Sequence, residues 1–408
     1  MRCNDLINRK DNWKTLTLAE SFWFQEGPGV RKWQFRKTGT KLINVSNITK
    51  EGVLDLDKTD RHLESSEVEQ RYSHFLIDPG DFVIASSGIS IDTDSLLRTR
   101  GVFVEKRHLP LCMNTSTIRF KSLEGISDLR YLKYWLDSYE FRAQITRLVT
   151  GSAQKNFGPS HLKKIKIPLP PLAEQKRIAA ILDKADMLRT KRRAALAKLD
   201  SLVQSVFLEM FGDPVTNPMG WETKLFEHTV AIDAPMVDPR ENQYKHLLHI
   251  GGDRIERDTG RILGAKTAEE DMLISGKFLF DDRYILYSKI RPNLRKVVMP
   301  DFRGLCSADV YPVRPLDNMI GREILFQILL SESFTRFTKQ HSGRANIPKI
   351  NRKQFMSFEC YIPPINLQNN FVDFVKCMGP TRLKSHESNY QSDNLFHALQ
   401  QRAFRGEL

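Results

Sequence analysis

The residue types that perform enzyme chemistry are present in this chain, but they do not stand at catalytic spacings. The ten histidines include no HExxH pair, and the five cysteines (Cys3, Cys112, Cys306, Cys360 and Cys377) show no CxxC spacing. The chain has no GxxxxGK[ST] phosphate loop, and neither Asn nor Asp precedes a Pro-Pro pair that could grip a flipped adenine. We therefore expect no catalytic residue, no cofactor-binding residue and no metal ligand.

A group of cations interleaved with aromatic residues follows Gly27-Pro28-Gly29. Cations can pair with DNA phosphates, and Arg and Gln can read the edges of guanine and adenine. The predicted DNA contacts here are Arg31, Lys32, Gln34, Arg36 and Lys37. The alternative is a strand that buries Trp33 and Phe35 and leaves the charges in solvent.

A second cationic group follows a predicted strand in the other half of the chain, within Tyr287–Lys296. The predicted DNA contacts here are Ser288, Lys289, Arg291, Asn293, Arg295 and Lys296. The corresponding loop in the first half has no cation, but Ser86 and Ser87 could donate hydrogen bonds to DNA. The alternative for both loops is a solvated turn.

Two short segments of small and amide residues, at 151–156 and 343–349, occupy equivalent places before two predicted long helices. Small residues allow the backbone to approach phosphate, and Gln or Asn can read adenine. The predicted contacts are Ser152, Gln154, Lys155, Arg344, Asn346 and Lys349. The alternative is a structural turn that repeats because the fold repeats.

The composition favours a soluble protein that binds a polyanion. The 408 residues include 62 Lys and Arg against 49 Asp and Glu, a formal net charge of +13. Nucleic acid is the leading partner for such a chain, although a basic surface without a special partner remains the alternative. The five scattered cysteines argue against a disulfide scaffold and for a reducing cytoplasm. Neither a bilayer-spanning segment nor a signal peptide is evident.

The chain repeats itself, because several short segments recur in the same order. The segment from Trp13 resembles that from Trp221, and the Ile-Pro-Leu-Pro-Pro segment at 167–171 resembles the Tyr-Ile-Pro-Pro segment at 361–364. Leu42–Val45 parallels Leu247–Ile250 between these anchors. The sequence therefore predicts a large domain, a helix, a second large domain and a second helix.

Each Pro-Pro pair marks the start of a long helix, since proline is tolerated only in the first turn. Apolar residues then recur at steps of three and four, which is typical of a coiled coil. The predicted seam consists of Ile178, Ile181, Leu188, Leu199, Leu202, Val206, Phe371, Phe374, Leu395 and Leu399. Gly379-Pro380 predicts a kink or a short break in the second helix.

The predicted fold class is α+β, with two similar sheet-containing domains separated by two long helices that pair as an antiparallel coiled coil in a pseudo-twofold repeat. The predicted boundaries are 1–171 for the first domain, 172–211 for the central helix, 212–364 for the second domain and 365–408 for the C-terminal helix. Within the domains, 130–148 and 321–340 each read as one amphipathic helix.

The segment at 167–214 closely resembles the central region of specificity subunits from type I restriction–modification systems. The resemblance rests on Pro-Pro-Leu-x-Glu-Gln, the long heptad helix and Phe211-Gly212-Asp213-Pro214, and residues 400–408 resemble that family's C-terminus. Because the order of domains and helices is also similar, the resemblance covers essentially the whole chain.

This resemblance implies that each large domain is a target recognition domain that reads one half of a split, asymmetric DNA site. It also implies that the paired helices act as a spacer and that two modification subunits dock on the chain. Those subunits would bind S-adenosylmethionine and methylate adenine, and a restriction subunit with ATP and Mg²⁺ could join them. The specificity subunit itself would be non-catalytic.

Two alternatives from other functional classes remain open at this point. The chain could be the recognition part of a fused methyltransferase or nuclease, although the missing motifs speak against it. It could also be an assembly scaffold whose domains bind protein. The target bases, the spacer length and the existence of a restriction subunit are not encoded in any pattern visible in one sequence.

Overall fold

The computed structural model describes residues 13–91, 96–149, 155–342 and 347–408. The chain forms two compact units. Unit 1 comprises the chain up to Lys191 together with Asn389–Leu408, and unit 2 comprises Arg192–Ser388. The division between the units falls inside both long helices, whereas the sequence analysis placed the domain boundaries at the helix ends.

Long helices follow the two Pro-Pro pairs, and shorter helices lie within the units. The helices are α1 (Leu18–Ser21), α2 (Ser65–Glu67), α3 (Leu129–Leu136), α4 (Tyr139–Leu148), α5 (Pro159–Leu162), α6 (Leu172–Phe211), α7 (Arg322–Leu330), α8 (Glu332–His341), α9 (Arg352–Met356) and α10 (Ile365–Phe404). The chain leaves α6 at Gly212, whose φ of 77° favours glycine.

Unit 1 is built on short strands with non-local pairing. Its strands are β1 (Lys14–Thr17), β2 (Phe22–Glu26), β3 (Thr40–Leu42), β4 (His62–Leu63), β5 (Phe82–Ala85), β6 (Ser90–Ile91), β7 (Leu97–Arg98), β8 (Gly101–Phe103), β9 (Leu111–Cys112), β10 (Thr117–Ser122) and β11 (Lys166–Leu169). The main sheet has the order β2-β10-β5-β8, a second has β4-β3-β9, and β1 pairs with β11.

Unit 2 repeats this plan. Its strands are β12 (Glu222–Leu225), β13 (Val230–Ala231), β14 (Met236–Val237), β15 (Leu248–Ile250), β16 (Lys266–Thr267), β17 (Lys277–Phe280), β18 (Ile285–Ser288), β19 (Val297–Val298), β20 (Gly304–Cys306), β21 (Val310–Pro315) and β22 (Glu359–Ile362). The order β13-β21-β18-β19 matches the main sheet of unit 1, and β12 pairs with β22 as β1 pairs with β11.

The strand register fixes the equivalence between the units more closely than the sequence did. Leu42 pairs with Cys112 in a parallel pair of strands, and Ile250 pairs with Cys306 in the same arrangement. Leu42 therefore corresponds to Ile250. The sequence parallel of Leu42–Val45 with Leu247–Ile250 is out of register by three residues, because both segments are apolar and a short apolar run matches at several offsets.

The two predicted amphipathic helices are each divided into two. Residues 130–148 form α3 and α4, and residues 321–340 form α7 and α8. The side chains of Ser138 and Ser331 accept hydrogen bonds from the backbone N–H of Phe141 and Phe334 and cap the second helix of each pair. The prediction of single helices is wrong because the apolar period continues across the serine, which itself begins a new helix.

A buried glutamine ties the start of each long helix to its unit. Gln175 donates hydrogen bonds from Nε2 to the carbonyl oxygens of Ile126 (2.9 Å) and Pro170 (2.8 Å), and its Oε1 accepts from the Asp128 N–H (3.0 Å). Gln368 makes the same three kinds of bond in unit 2. The glutamine after each Pro-Pro pair therefore clamps helix, strand end and helical hairpin together.

Replacing Gln175 by alanine should lower the free energy of unfolding by about 2 kcal/mol, because three buried backbone groups lose their partner. Chemical denaturation of the full chain measures this change. Gln204→Ala, on the exposed face of α6, is the matched control and should change stability by less than about 0.5 kcal/mol. Equal effects of the two substitutions would contradict a clamping role.

Within unit 1 the halves of α6 and α10 run antiparallel. Ile178 and Leu182 pack in one core with Phe396 and Phe404. The Arg189 guanidinium lies 4.0 Å from the centroid of the Phe396 ring, which explains why a cation is tolerated at a position that continues the apolar stripe.

Within unit 2 the C-terminal half of α6 and the N-terminal half of α10 also run antiparallel. Phe207 and Phe211 pack against Phe371, with ring centroids 5.7 and 5.5 Å away. Arg382 donates to the Asp200 carboxylate at 2.7 Å further along the pair. The predicted α+β fold class, with two similar sheet-bearing parts and two long helices that pair antiparallel, is confirmed.

The predicted seam is partly out of phase with the observed one. Ile178 and Phe371 are buried, and Ile181, Leu199, Val206, Phe374 and Leu399 are half-buried, as predicted. Leu188, Leu202 and Leu395, however, are 54%, 43% and 59% exposed. The observed stripe on α6 instead runs through Leu182, Arg189, Leu196, Val203 and Phe207. The predicted pattern counted apolar residues only, so it did not include Arg189 and followed a different face of the helix.

Helix α10 is continuous through Gly379 and Pro380, so the short break considered in the sequence analysis does not occur. Both residues are exposed, and a Cβ built on Gly379 would meet no atom within 4 Å. No helix of the described part of the chain has the length and apolar character needed to cross a membrane.

Candidate nucleic-acid interface

In unit 1 a cleft of about 400 Å³ opens where β5 ends. Its walls are the loop after β5, the residues before β10 and the segment that leads into α5. The Phe157 N–H donates to the carbonyl oxygen of Ser86 (2.9 Å), and the Gly88 N–H donates to Oδ1 of Asn156 (3.3 Å). Two segments that the sequence analysis proposed separately as DNA contacts therefore meet in one place.

In unit 2 a cleft of about 410 Å³ opens at the equivalent place, where β18 ends. The Arg291 N–H donates to the carbonyl oxygen of Pro348 (2.8 Å), and the Ile350 N–H donates to that of Lys289 (3.1 Å). The loop after β18 and the segment before α9 are thus joined, as in unit 1. Because strand order and loop contacts repeat, the two clefts are equivalent sites.

The cations of the unit 2 loop divide into engaged and available groups. Lys289 Nζ donates to the Ala308 carbonyl oxygen (2.6 Å), Lys296 Nζ to that of Gly252 (2.6 Å), and Arg295 Nε to Asp258 (2.6 Å). Arg291, Asn293 and Lys349 are exposed. The first three cations therefore hold the loop. Arg291 and Asn293 face solvent, and Lys349 makes a loose, exposed ion pair with Asp309 at 3.7 Å.

Ser288 corrects the predicted set. It is 3% exposed and its hydroxyl donates to the carbonyl oxygen of Ile290. Ser86, at the cleft of unit 1, is 1% exposed. Ser288 is the last residue of β18 and Ser86 directly follows β5. Both side chains are buried, so they shape the clefts from beneath. Ser87 and Lys155 are half-buried at the rim of the unit 1 cleft.

The cationic turn at 31–37 is a short 3₁₀ helix, Lys32–Gln34, and not a strand. Trp33 is 71% exposed, so the alternative that buries it is wrong. Arg31, Lys32, Arg36 and Lys37 are exposed, as a DNA-contacting turn requires.

Gln34 is another residue of the predicted DNA-contacting set that the structure buries, since its side chain is 3% exposed. Its Nε2 donates to Oε1 of Glu67 (2.6 Å) and to the Tyr72 hydroxyl (3.0 Å), and its Oε1 accepts from the Arg31 N–H (2.9 Å). Gln34 therefore anchors the turn and leaves the cations outside. Ser152, Gln154, Arg344 and Asn346 lie outside the described residues.

One charged group at the unit 2 cleft was missed by the sequence analysis. Asp271 accepts hydrogen bonds from Arg254 (2.6 Å) and contacts Nδ1 of His249 (2.9 Å). The Arg254 guanidinium, with the His249 contact, lowers the pKa of Asp271 to about 2. His249 lines the cleft, so this cluster fixes one wall. No sequence signal links the three residues, since they meet only through strand pairing.

The class of protein is indicated by comparison with known families. Residues 10–198 match the family of the type I restriction modification DNA specificity domain. The chain is 31% identical over 195 residues to the Escherichia coli type I restriction enzyme EcoDI specificity subunit, an alignment that covers 47% of this chain and 43% of the relative. It is 23% identical over 211 residues to the MjaVIII specificity subunit of Methanocaldococcus jannaschii, covering 48% and 46%.

The alignments thus span less than half the length of these curated relatives. A solved S subunit of a type I restriction-modification system from M. genitalium has a similar fold, with a TM-score of 0.53 at 13% identity over 96% of both chains. The resemblance predicted from residues 167–214 is confirmed. The first half of the chain is therefore similar to type I specificity subunits, and the whole chain shares their fold.

Proposed function

We propose that this chain is the DNA sequence-specificity subunit of a type I restriction–modification complex, and that each unit reads one half of a split, asymmetric site. The observation that carries the proposal is the repeated cleft. In both units, two loops that are distant in sequence meet at the end of the same central strand, and most of the side chains around them are polar or charged.

The two clefts suit different kinds of contact with a duplex. The unit 1 cleft is lined by Ser87, Thr115, Ser116 and Asn156, which can donate and accept hydrogen bonds. The unit 2 cleft carries the exposed Arg291, which can bind phosphate or the guanine edge. Two sites of different composition support an asymmetric target rather than a palindrome.

The long helices offer surface for partner subunits. In unit 1, Leu188, Tyr390 and Leu395 are 54%, 69% and 59% exposed, and in unit 2 Leu383 is 75% exposed. Protein–protein contact sites are marked by contiguous exposed apolar surface, and these side chains are the exposed apolar groups that the helices offer to it. We assign them to the docking of two modification subunits, with a restriction subunit as a further partner. These subunits would carry S-adenosylmethionine, ATP and Mg²⁺, while this chain remains non-catalytic.

The proposal is tested by mapping methylated adenines in host genomes. Cells would carry the wild-type chain or a chimera in which residues 1–171 come from another family member. We expect the wild-type chain to direct methylation to a bipartite motif, and the chimera to change one half of that motif and keep the other. A motif that does not depend on this gene, or loss of both halves, would refute the proposal.

A further inference from the structure

Glu26 is a carboxylate in the cleft of unit 1 that the fold does not use. It is the last residue of β2 and pairs with Ile118 of the neighbouring strand. Its side chain lines the cleft together with Ser87, Ser116 and Asn156. The next residue, Gly27, passes so close to Asn114 that a Cβ would lie 2.3 Å from its carbonyl oxygen. The strand end is therefore held in one place, and Glu26 with it.

The Glu26 carboxylate has no hydrogen-bond donor and no ion-pair partner among the residues that the structure describes. Partial burial without a partner raises the pKa of Glu26 above its usual value. A half-buried acid in a strongly basic protein normally pairs with a cation, and many cations of this chain do pair with acids. An unpaired carboxylate in a cleft is typical of a site that receives its donor from a ligand.

A carboxylate near the corresponding strand of unit 2 shows how a structural acid is satisfied. Asp233 follows β13, the counterpart of β2, and accepts hydrogen bonds from Arg314 (3.0 Å) and from the Tyr284 hydroxyl (3.0 Å). These donors lower the pKa of Asp233. Ala231 pairs with Arg314 as Trp23 pairs with Lys121, so by strand register Asp233 corresponds to Gln25 and Ala234 corresponds to Glu26. The repeated fold therefore does not require a carboxylate at the position of Glu26.

The chemistry of a carboxylate restricts what it can meet on a duplex. An ionised carboxylate only accepts hydrogen bonds and is repelled by phosphate. In the major groove the exocyclic amino groups of cytosine (N4) and adenine (N6) are donors, whereas O6 of guanine and O4 of thymine are acceptors. A carboxylate that faces one DNA strand can therefore accept a hydrogen bond from cytosine or adenine at that position, and it disfavours guanine or thymine there.

We propose that Glu26 is a base-reading residue that accepts a hydrogen bond from the exocyclic amino group of cytosine or adenine at one position of the half-site read by unit 1. This inference rests on the proposed function and adds a specificity-determining residue to it. The neighbouring hydroxyl and amide groups of the cleft then contact adjacent base edges or phosphates.

The test compares genomic methylation directed by the wild-type chain and by Glu26→Gln and Glu26→Ala, each expressed with its natural partner subunits. Glu26→Gln keeps the size of the side chain and adds a donor, so it is the variant expected to fold most like wild type. We expect the preference for cytosine or adenine at one position to fall about 5- to 100-fold in both variants. The other half-site should be unchanged.

Glu124→Gln is the matched control, because it removes one exposed carboxylate from the same unit without touching the cleft. It should keep the wild-type motif. Melting temperatures of the purified variants check folding. An unchanged motif in a folded Glu26→Gln chain overturns the inference, as does a uniform loss of methylation at all sites without a change in base preference. Absence of a motif from the wild-type chain would refute the proposed function instead.

Discussion

The affinity of this chain for its duplex site should fall about 1,000-fold as the salt concentration rises from about 50 to 200 mM. Six cations of the predicted set keep exposed side chains in the structure: Arg31, Lys32, Arg36, Lys37, Arg291 and Lys349. If each neutralises one phosphate, the released counterions give a slope of log affinity against log salt of about −5. Equilibrium binding measured at four or five salt concentrations gives this slope directly.

Removing two of these cations from unit 2 should make the slope shallower by about 2. The variant is Arg291→Ala with Lys349→Ala, because both residues are exposed beside the unit 2 cleft and Lys349 makes only a loose ion pair, with Asp309 at 3.7 Å. Arg240→Ala is the control, since Arg240 is exposed but forms an ion pair with Asp238 at 2.6 Å. A salt-independent affinity would favour the assembly-scaffold alternative. An equally shallower slope in the Arg240 variant would show that DNA affinity depends on the net charge of the chain and not on contacts at the cleft.

Phe207→Ala should lower the free energy of unfolding by about 3–5 kcal/mol. Phe207 is 1% exposed and packs against the rings of Phe211 and Phe371, at centroid distances of 5.4 and 5.7 Å. Truncation loses the transfer free energy of the ring and leaves a cavity between two helices that cannot close fully. Denaturant unfolding followed by circular dichroism measures the loss.

Leu202→Ala lies on the same helix and distinguishes the observed seam from the predicted one. Leu202 is 43% exposed, so its truncation should change stability by less than about 0.5 kcal/mol. If Leu202→Ala were as destabilising as Phe207→Ala, the helix would be rotated relative to the structure and the predicted phase would be correct.

The site was only partly predictable from sequence. The loops after β5 and β18 and the segments before α5 and α9 were recognised as repeated features, and the structure brings each pair together. Their side chains were not separated into exposed and internal ones. Lys289 and Arg291 stand two residues apart in one cationic run, yet one binds a carbonyl oxygen and the other faces solvent. That difference depends on where Ala308 lies, which no local pattern records.

The sequence by itself determined the repeat, the two helix starts and the resemblance to type I specificity subunits. These follow from local rules. A Pro-Pro pair cannot lie inside a helix and so marks a helix start, heptad spacing of apolar residues favours a long helix, and a recurring order of short motifs indicates a recurring fold. Only the tertiary structure decided the phase of the helix seam, the burial of Gln34, Ser86 and Ser288, and the unpaired state of Glu26. Those properties depend on contacts between residues far apart in the chain, and such contacts are fixed when strands pair and helices pack.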